Sequence, residues 1–430
     1  MRLRLIYPRF QKFLEGHREL DELVRTHLVG NYTMPPSLAL PIIAAITPPG
    51  IDIALTDDNS GQPIDFDEKP DAVCISCFTP QASRAYEIAD AFRSRGTTVI
   101  MGGIHPTGAP QEAAQHADAV CVGEVEPVWA DILRDLTNGA LKKIYRPAEP
   151  YDLALMPNPL REIFPRDRYQ WDAHLVLTSR GCFVKCAGCP IPDKEGVMIR
   201  TRPVANVIAD IRSMPYREFY FTDDTLMLPG KKSKKFILSI MERTAELNVS
   251  IFLASTMMME ADVEFYRALR RGGATSIYTI FGFDRMSKLL LSPSCPAADW
   301  QKGVDLVRMI EDAGIHFFGS FGLGFDDQDD GVADRILRFC DDARIDLAEF
   351  YILTPFPGTP FGRQAEREDR ILHRNYTLWN HGNVVFKPSV LTEKQILDDF
   401  YRLWKEFYNN KSPVSTLRSF KEINHSPAVR

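Results

Sequence analysis

Short apolar runs alternate with amphipathic stretches along most of the chain, the pattern of an α/β protein built on parallel sheets. Near the start, Asp71-Ala-Val-Cys-Ile-Ser-Cys is an apolar run of the length of one buried strand. Helical periodicity follows from Ala82 to Arg95, and Thr97-Thr-Val-Ile-Met-Gly-Gly reads as a second strand ending in glycines. Asp118-Ala-Val-Cys-Val-Gly-Glu repeats the pattern and leads into a helix through Trp129 and Leu133. These elements predict an open, Rossmann-like domain over residues 1–145.

Five prolines between Arg146 and Arg166 (Pro147, Pro150, Pro157, Pro159, Pro165) exclude a helix there and predict a linker over residues 146–170. Strand and helix patterns then alternate over residues 171–360. The strand candidates are His174–Arg180, Glu218–Asp224, Ser250–Ser255, Ser276–Asp284, His316–Gly324 and Leu347–Pro355. Amphipathic stretches separate them at Val204–Met214, Ser233–Leu247, Asp262–Gly272, Asp299–Ala313 and Gly331–Ala343. Six βα units imply right-handed crossovers and a sheet curved into a partial (β/α)6 barrel. Ligands of such sheets bind at the carboxyl ends of the strands. Residues 361–430 form a C-terminal, aromatic-rich helical region, with helical spacing from Glu393 to Tyr408. Its aromatic face suits a helix docked on the barrel; a lid over an apolar substrate is the other reading.

Composition adds limits. A chain of 430 residues exceeds what one hydrophobic core serves, so several domains are expected. Its net charge of −6 gives no basic footprint, which argues against a nucleic-acid partner. The stretch Lys411–Arg430 is also short for an RNA-binding barrel. No uncharged run approaches a membrane span, and the first residues do not resemble a signal peptide, so a cytoplasmic location is expected. In that compartment the eight cysteines read as metal ligands or small core residues rather than disulfides. Cys74 and Cys77 fall on opposite faces of a strand and, with Cys121, Cys295 and Cys340, read as incidental.

Thr178-Ser-Arg-Gly-Cys182-Phe-Val-Lys-Cys186-Ala-Gly-Cys189-Pro follows the first barrel strand. Three thiolates on one irregular loop can each hold one iron of a [4Fe–4S] cubane and leave the fourth iron open. Zinc would want a fourth ligand, for which only His174 lies near; a ferredoxin-like carrier would want a fourth thiolate. The C-x-x-x-C-x-x-C spacing resembles the radical S-adenosylmethionine (SAM) superfamily. That resemblance implies that SAM chelates the open iron and that one electron from the cluster cleaves it to a 5′-deoxyadenosyl radical. One departure stands out: Gly188 occupies the place before the third cysteine where the family has an aromatic residue.

By position, the resemblance assigns Thr222, Asp223 and Asp224 to the SAM amino group, and Asp284 to the ribose. Ser255, Gly319, Gly322 and Leu353, at or along other strands, would border the nucleoside. The reading without a ligand makes each acid a helix cap or a solvated strand end. Met101-Gly-Gly-Ile-His105-Pro-Thr, Gly123-Glu124-Val-Glu126 and Thr354-Pro-Phe-Pro-Gly-Thr extend the likeness to one subgroup. Its members carry an N-terminal cobalamin-binding-type domain and include hopanoid methylases and bacteriochlorophyll-pathway enzymes. Carried over, this places cobalamin beside Thr79, Gly102, Gly103, His105, Thr107, Gly123 and Glu124. No D-x-H-x-x-G motif is present to supply a cobalt-ligating histidine, and His105 does not replace it by spacing. The activity so implied is methylation of an unactivated carbon on an apolar polycyclic or natural-product substrate, with flavodoxin or ferredoxin as electron donor. Radical hydroxylation, oxidation, cyclisation or ring contraction is the alternative, and a non-catalytic iron–sulfur or zinc protein is the alternative of another class.

Overall fold

The computed structural model describes residues 1–12, 14–27, 37–164, 169, 174–224, 226–227 and 230–409. The first sheet contains β1 (Arg2–Tyr7), β2 (Asp52–Asp57), β3 (Ala72–Ser76), β4 (Thr98–Gly102), β5 (Ala119–Cys121) and β6 (Ile144–Tyr145). All its pairings are parallel, in the order β2-β1-β3-β4-β5-β6. Alternation along each strand feeds two apolar layers. Leu3, Leu5, Cys74 and Cys121 enter one layer, and Ile6, Val73, Ile75 and Cys77 the other. Cys74 and Cys77 therefore do face opposite ways, and both are buried.

The proline-rich stretch is a packed strap rather than an open linker. It has two short 3-10 turns, Leu153–Leu155 and Arg161–Ile163. Leu153 and Met156 pack with Leu38 and Ile42 of the first domain and with Leu175 and Leu177 of the second. Arg161 donates to both oxygens of Asp210, at 2.6 and 3.2 Å, and Arg202 donates to one of them at 2.9 Å. Asp210 is fully buried and Arg202 nearly so. One carboxylate thus joins the strap to the helix Val204–Ser213.

The second sheet begins with β7 (His174–Val176), followed by β8 (Ser179–Arg180) and β9 (Arg200–Thr201), which pair only with each other. It continues through β10 (Glu218–Phe221), β11 (Ser250–Ser255), β12 (Ala274–Phe281), β13 (His316–Leu323) and β14 (Leu347–Ile352). The barrel order is β14-β13-β12-β11-β10-β7, parallel throughout. The first expected strand, His174–Arg180, is cut short at Val176. Asp223 accepts the Thr178 N–H at 3.1 Å, so the chain leaves the ladder and forms an antiparallel hairpin with β9 instead.

Along the barrel strands, outward residues such as Phe219, Ile251, Ile277, Phe321 and Phe350 are buried in the main core. Inward residues Tyr220, Ala254, Tyr278, Phe318 and Glu349 are half-buried, whereas inward Phe252, Ser320 and Tyr351 are buried, so the lumen is open over part of its lining. The C-terminal region divides. Tyr376 and Trp379 pack on the first domain, whereas the helix Glu393–Asn409 docks on the outer face of β14. There Trp404 Nε1 donates to the Phe350 carbonyl at 3.1 Å and Tyr408 to the Ala348 carbonyl at 2.5 Å. Its aromatic face is core packing, not a cover over strand ends. The stretch Lys411–Arg430 lies outside the described residues. Among the described residues no helix is long and apolar enough to cross a membrane.

Burial lifts the Glu311 carboxyl from 4.5 to about 7, against an opposing 2.6 Å bond from the Phe317 N–H. The unfolded chain then ionises first, so this group costs stability as pH rises from about 4.5 to 7 and no more above. Glu311→Gln is expected to flatten that part of the profile and to raise the denaturation midpoint most near pH 7–8; unfolding curves from pH 5 to 8 check it.

Candidate active site

The hairpin β8–β9 projects the cysteine loop from the end of the first barrel strand. Gly181 adopts φ +93°, and a Cβ there would lie 2.3 Å from the Met198 carbonyl, so only glycine lets the two arms close. Cys182 N–H bonds Gly196 O at 3.2 Å and Cys189 N–H bonds Cys186 O at 3.1 Å. Burial pushes the Cys186 and Cys189 thiols up to about 12, and neighbouring thiols of the same loop add to the rise. Such thiols ionise when metal binds them. Among the described residues no three His, Cys, Asp or Glu side chains converge on one point as a single ion requires. A cubane asks less, because each thiolate takes a different iron. His174 opens β7 with its ring stacked 3.3 Å from Tyr216, at the far end of the strand from the cysteines. It does not complete a Cys3His zinc site.

The space at Gly188 is filled. A Cβ there would fall 2.8 Å from the ring of Phe283 and 3.3 Å from Leu353. Phe283, on the loop after β12, stands edge-on to Phe325 at 5.3 Å and is half-buried. An aromatic ring therefore does line the cysteine loop, carried by a different strand end.

Two acids at the strand ends each keep one oxygen without a partner. Asp223 Oδ1 accepts from Thr178 N, Thr178 Oγ1 and Ser179 Oγ at 3.1, 2.9 and 2.6 Å. Its Oδ2 is buried with no partner among the described residues, as is Oδ2 of Asp284. Asp284 Oδ1 caps the helix Arg285–Leu291 through the N–H groups of Met286 and Ser287. Burial raises Asp223 to about 6 despite its hydrogen bonds. Buried lone pairs left open cost about 1–3 kcal/mol each, so these two oxygens suit incoming donors. Asp224 differs: burial and the adjacent Glu195 raise it well above the carboxylate range. Burial also opposes ionisation of Glu195, but Lys194 at 2.6 Å and Arg180 overcome it and hold that group low.

In the first domain, the ends of β3, β4 and β5 border a slot of about 80 Å3 lined by Gly102, Gly103, Gly123, Cys121 and Trp129 among others. Gly103 has φ +106°, and a Cβ there would lie 2.5 Å from the Cys77 carbonyl. Thr107 Oγ1 accepts the Gly123 N–H at 3.0 Å. The slot opens beside the barrel because Arg180 reaches across to Glu124 and Glu126, each at 2.7 Å. Arg200 adds a 3.0 Å bond to Glu124. Glycine-lined slot and cysteine loop are thus joined by buried ion pairs that no sequence motif announced.

The remaining expected site residues differ in setting, and Glu124 and Leu353 do border the slot and the cysteine loop. His105 is buried, with Nε2 on Tyr86 Oη at 2.9 Å and Nδ1 on Thr79 Oγ1 at 3.2 Å, so both nitrogens are engaged within the core. Thr79 is buried with it. Glu124 is committed to Arg180 and Arg200. Gly319 points outward, where a Cβ would meet the Phe321 ring at 2.6 Å, and Gly322 makes room for Tyr351 and Phe325. A side chain at either position would meet these neighbours. Ser255 is buried, and Leu353 packs with Phe325, Phe361 and Phe386. Thr222 is half-buried beside Asp223.

The family described as B12 binding domain matches residues 33–133. The bacteriochlorophyllide d C-12(1)-methyltransferase of Chlorobaculum tepidum is 26% identical over 92% of this chain and 87% of its own. The hopanoid C-2 methylase of Rhodopseudomonas palustris is 22% identical, covering 100% of this chain and 80% of that one. Among solved structures, the radical SAM methyltransferase TsrM from Kitasatospora setae, with cobalamin and a [4Fe–4S] cluster, superposes with a TM-score of 0.67. That match has 15% identity and covers 97% of this chain and 88% of the other. The cobalamin-dependent radical enzyme OxsB gives 0.69 at 15% identity, over 94% of this chain and 66% of that one. These two share the fold in both halves. With its three-cysteine loop at the first barrel strand and a B12 binding domain match over residues 33–133, the chain is similar along nearly its whole length to methyltransferases of bacteriochlorophyllides and hopanoids and shares the fold of cobalamin-dependent radical SAM enzymes.

Proposed function

We propose that this protein is a cobalamin-dependent radical SAM methyltransferase acting on an unactivated carbon of an apolar polycyclic or natural-product substrate. The observation that carries the reading is the joining of two sites: the cysteine loop with its open acid oxygens, and the glycine slot, tied by Arg180 to Glu124 and Glu126. Cys182, Cys186 and Cys189 would hold the cluster. Asp223, Asp284 and Thr222 would receive polar groups of SAM, and Gly102, Gly103 and Gly123 would border an arm of cobalamin. Bound there, these cofactors supply one-electron cleavage of a sulfonium and a transferable methyl group.

The chain's own contribution is positional and electrostatic. Asp223 and Asp284 present buried, preorganised acceptors in place of water. Burial and Glu195 push Asp224 up, while Lys194 and Arg180 hold Glu195 down, so the two neighbouring acids are driven apart. Phe283 walls the cysteine loop. Names of relatives support the substrate class, since they refer to bacteriochlorophyllides and a hopanoid. Flavodoxin or ferredoxin as electron donor and a cytoplasmic setting fit the need for reduced thiols.

Anaerobic purification with added cobalamin, followed by corrin absorbance and analysis of SAM products, tests the proposal. Retained corrin, with both S-adenosylhomocysteine and 5′-deoxyadenosine formed on substrate, is expected. Protein that retains no corrin, or that forms 5′-deoxyadenosine alone, would overturn the methyl-transfer assignment.

A further inference from the structure

The barrel lumen holds a carboxyl that the site above does not use. Glu349 points inward from the middle of β14, the last strand, level with Ser320 of β13 in the parallel register. Its Oε1 accepts from Ser320 Oγ at 2.8 Å and from the phenol of Tyr278 on β12. No cation pairs with it among the described residues. Its Oε2 has no hydrogen bond among the described residues and is not enclosed. The surrounding inward side chains are Tyr220, Phe252, Phe318 and Tyr351, and the rings of Phe252, Tyr278 and Phe318 lie 5.3 to 6.4 Å apart.

A structural role explains this poorly. A glutamate kept only for packing would be cheaper as glutamine or leucine, since burying a carboxyl without a counter-ion is costly. Burial does push Glu349 up from its ordinary value, against the two bonds it accepts. Two neutral donors fix one oxygen and so aim the other into the open lumen, an arrangement that orients an acceptor for something that arrives there. Aromatic walls around one fixed acceptor select a flat or alicyclic framework that carries one hydrogen-bond donor.

The geometry points to Glu349, positioned by Tyr278 and Ser320, as the lumen's substrate anchor, accepting a hydrogen bond from an N–H or O–H group on an otherwise apolar ligand. This rests on the proposed function only in taking the lumen as the substrate's chamber. It narrows the substrate class to molecules with a donor at their inner end.

The test uses the cluster-reconstituted, SAM-loaded full chain and two fragment probes, indole and 1-methylindole, which differ in one N–H donor. Wild type is expected to bind indole about tenfold tighter than 1-methylindole, the range of a hydrogen bond to a charged or polarised acceptor. Glu349→Leu is expected to bring the two within about twofold, and the near-isosteric Glu349→Gln to keep part of the preference. Wild type that binds neither probe, or both equally, would overturn the assignment, as would a Leu variant that keeps the full preference. Unfolding midpoints of both variants separate lost binding from lost fold. SAM cleavage by wild type is read separately: discrimination between probes without 5′-deoxyadenosine would leave the anchor standing and remove the proposed reaction.

Discussion

Cys186→Ala is expected to lower 5′-deoxyadenosine formation by on the order of a thousandfold or more, to background, and to leave reconstituted protein short of iron. The loss is that large because the three thiolates act as a unit: an iron without its protein ligand leaves the cubane. Cys186 is half-buried on an irregular loop whose closure depends on Gly181 and the β8–β9 pairing, not on this side chain. Far-UV circular dichroism and the denaturation midpoint should therefore stay close to wild type. Iron and sulfide analysis after anaerobic reconstitution, together with product formation, checks the prediction. A variant with full iron and normal cleavage would remove Cys186 from the site.

Asp210→Ala is expected to destabilise the barrel domain by about 3–5 kcal/mol, through a different mechanism. The substitution strands two guanidinium groups in the interior, Arg161 and Arg202, which are 7% and 1% exposed. Each keeps a carbonyl acceptor, Leu175 and Leu177 respectively, but neither keeps a counter-charge. The strap between the domains is anchored through the same carboxylate, so the interface with Leu38 and Ile42 should loosen as well. Chemical denaturation followed by fluorescence reads the shift, and Asp210→Asn, which keeps two polar atoms, should cost less. An unchanged midpoint for the alanine variant would show that water compensates the arginines. Asp210→Leu combined with Arg202→Met is expected to recover part of the loss, because removing both charges avoids an unpaired one.

Much of the scaffold was legible because parallel strands buried on both faces write themselves as apolar runs. Ala72–Ser76, Thr98–Gly102 and all six barrel strands were placed on that ground, with ends shifted by a few residues. β1 was missed because Arg2 and Arg4 interrupt its run. Its hidden face became visible only when Arg4 was seen paired with Glu68 and Asp52, far away in sequence. β8 and β9 are two residues each, too short to carry a period. Of the site, the cysteines announced themselves by spacing. Glu195 and Lys194 did not, since their meaning depends on Asp224 arriving from the next strand. His105 shows the converse: a histidine after a glycine pair looked like a ligand contact, yet its nitrogens are spent on Tyr86 and Thr79. Gly188 looked like a lost aromatic until the fold brought Phe283 into the same space. Glu349 gave no signal at all. One polar residue in an apolar strand is commonplace, and only the register shows which way it points.

The central claim is that Cys182, Cys186 and Cys189 hold a cluster whose fourth iron is open to SAM. Electron paramagnetic resonance of the anaerobically reconstituted, dithionite-reduced protein, recorded with and without SAM, tests it most directly. The account predicts a reduced [4Fe–4S] signal whose shape changes when SAM is added. A signal indifferent to SAM, or protein that takes up zinc and gives no cluster signal, would contradict it.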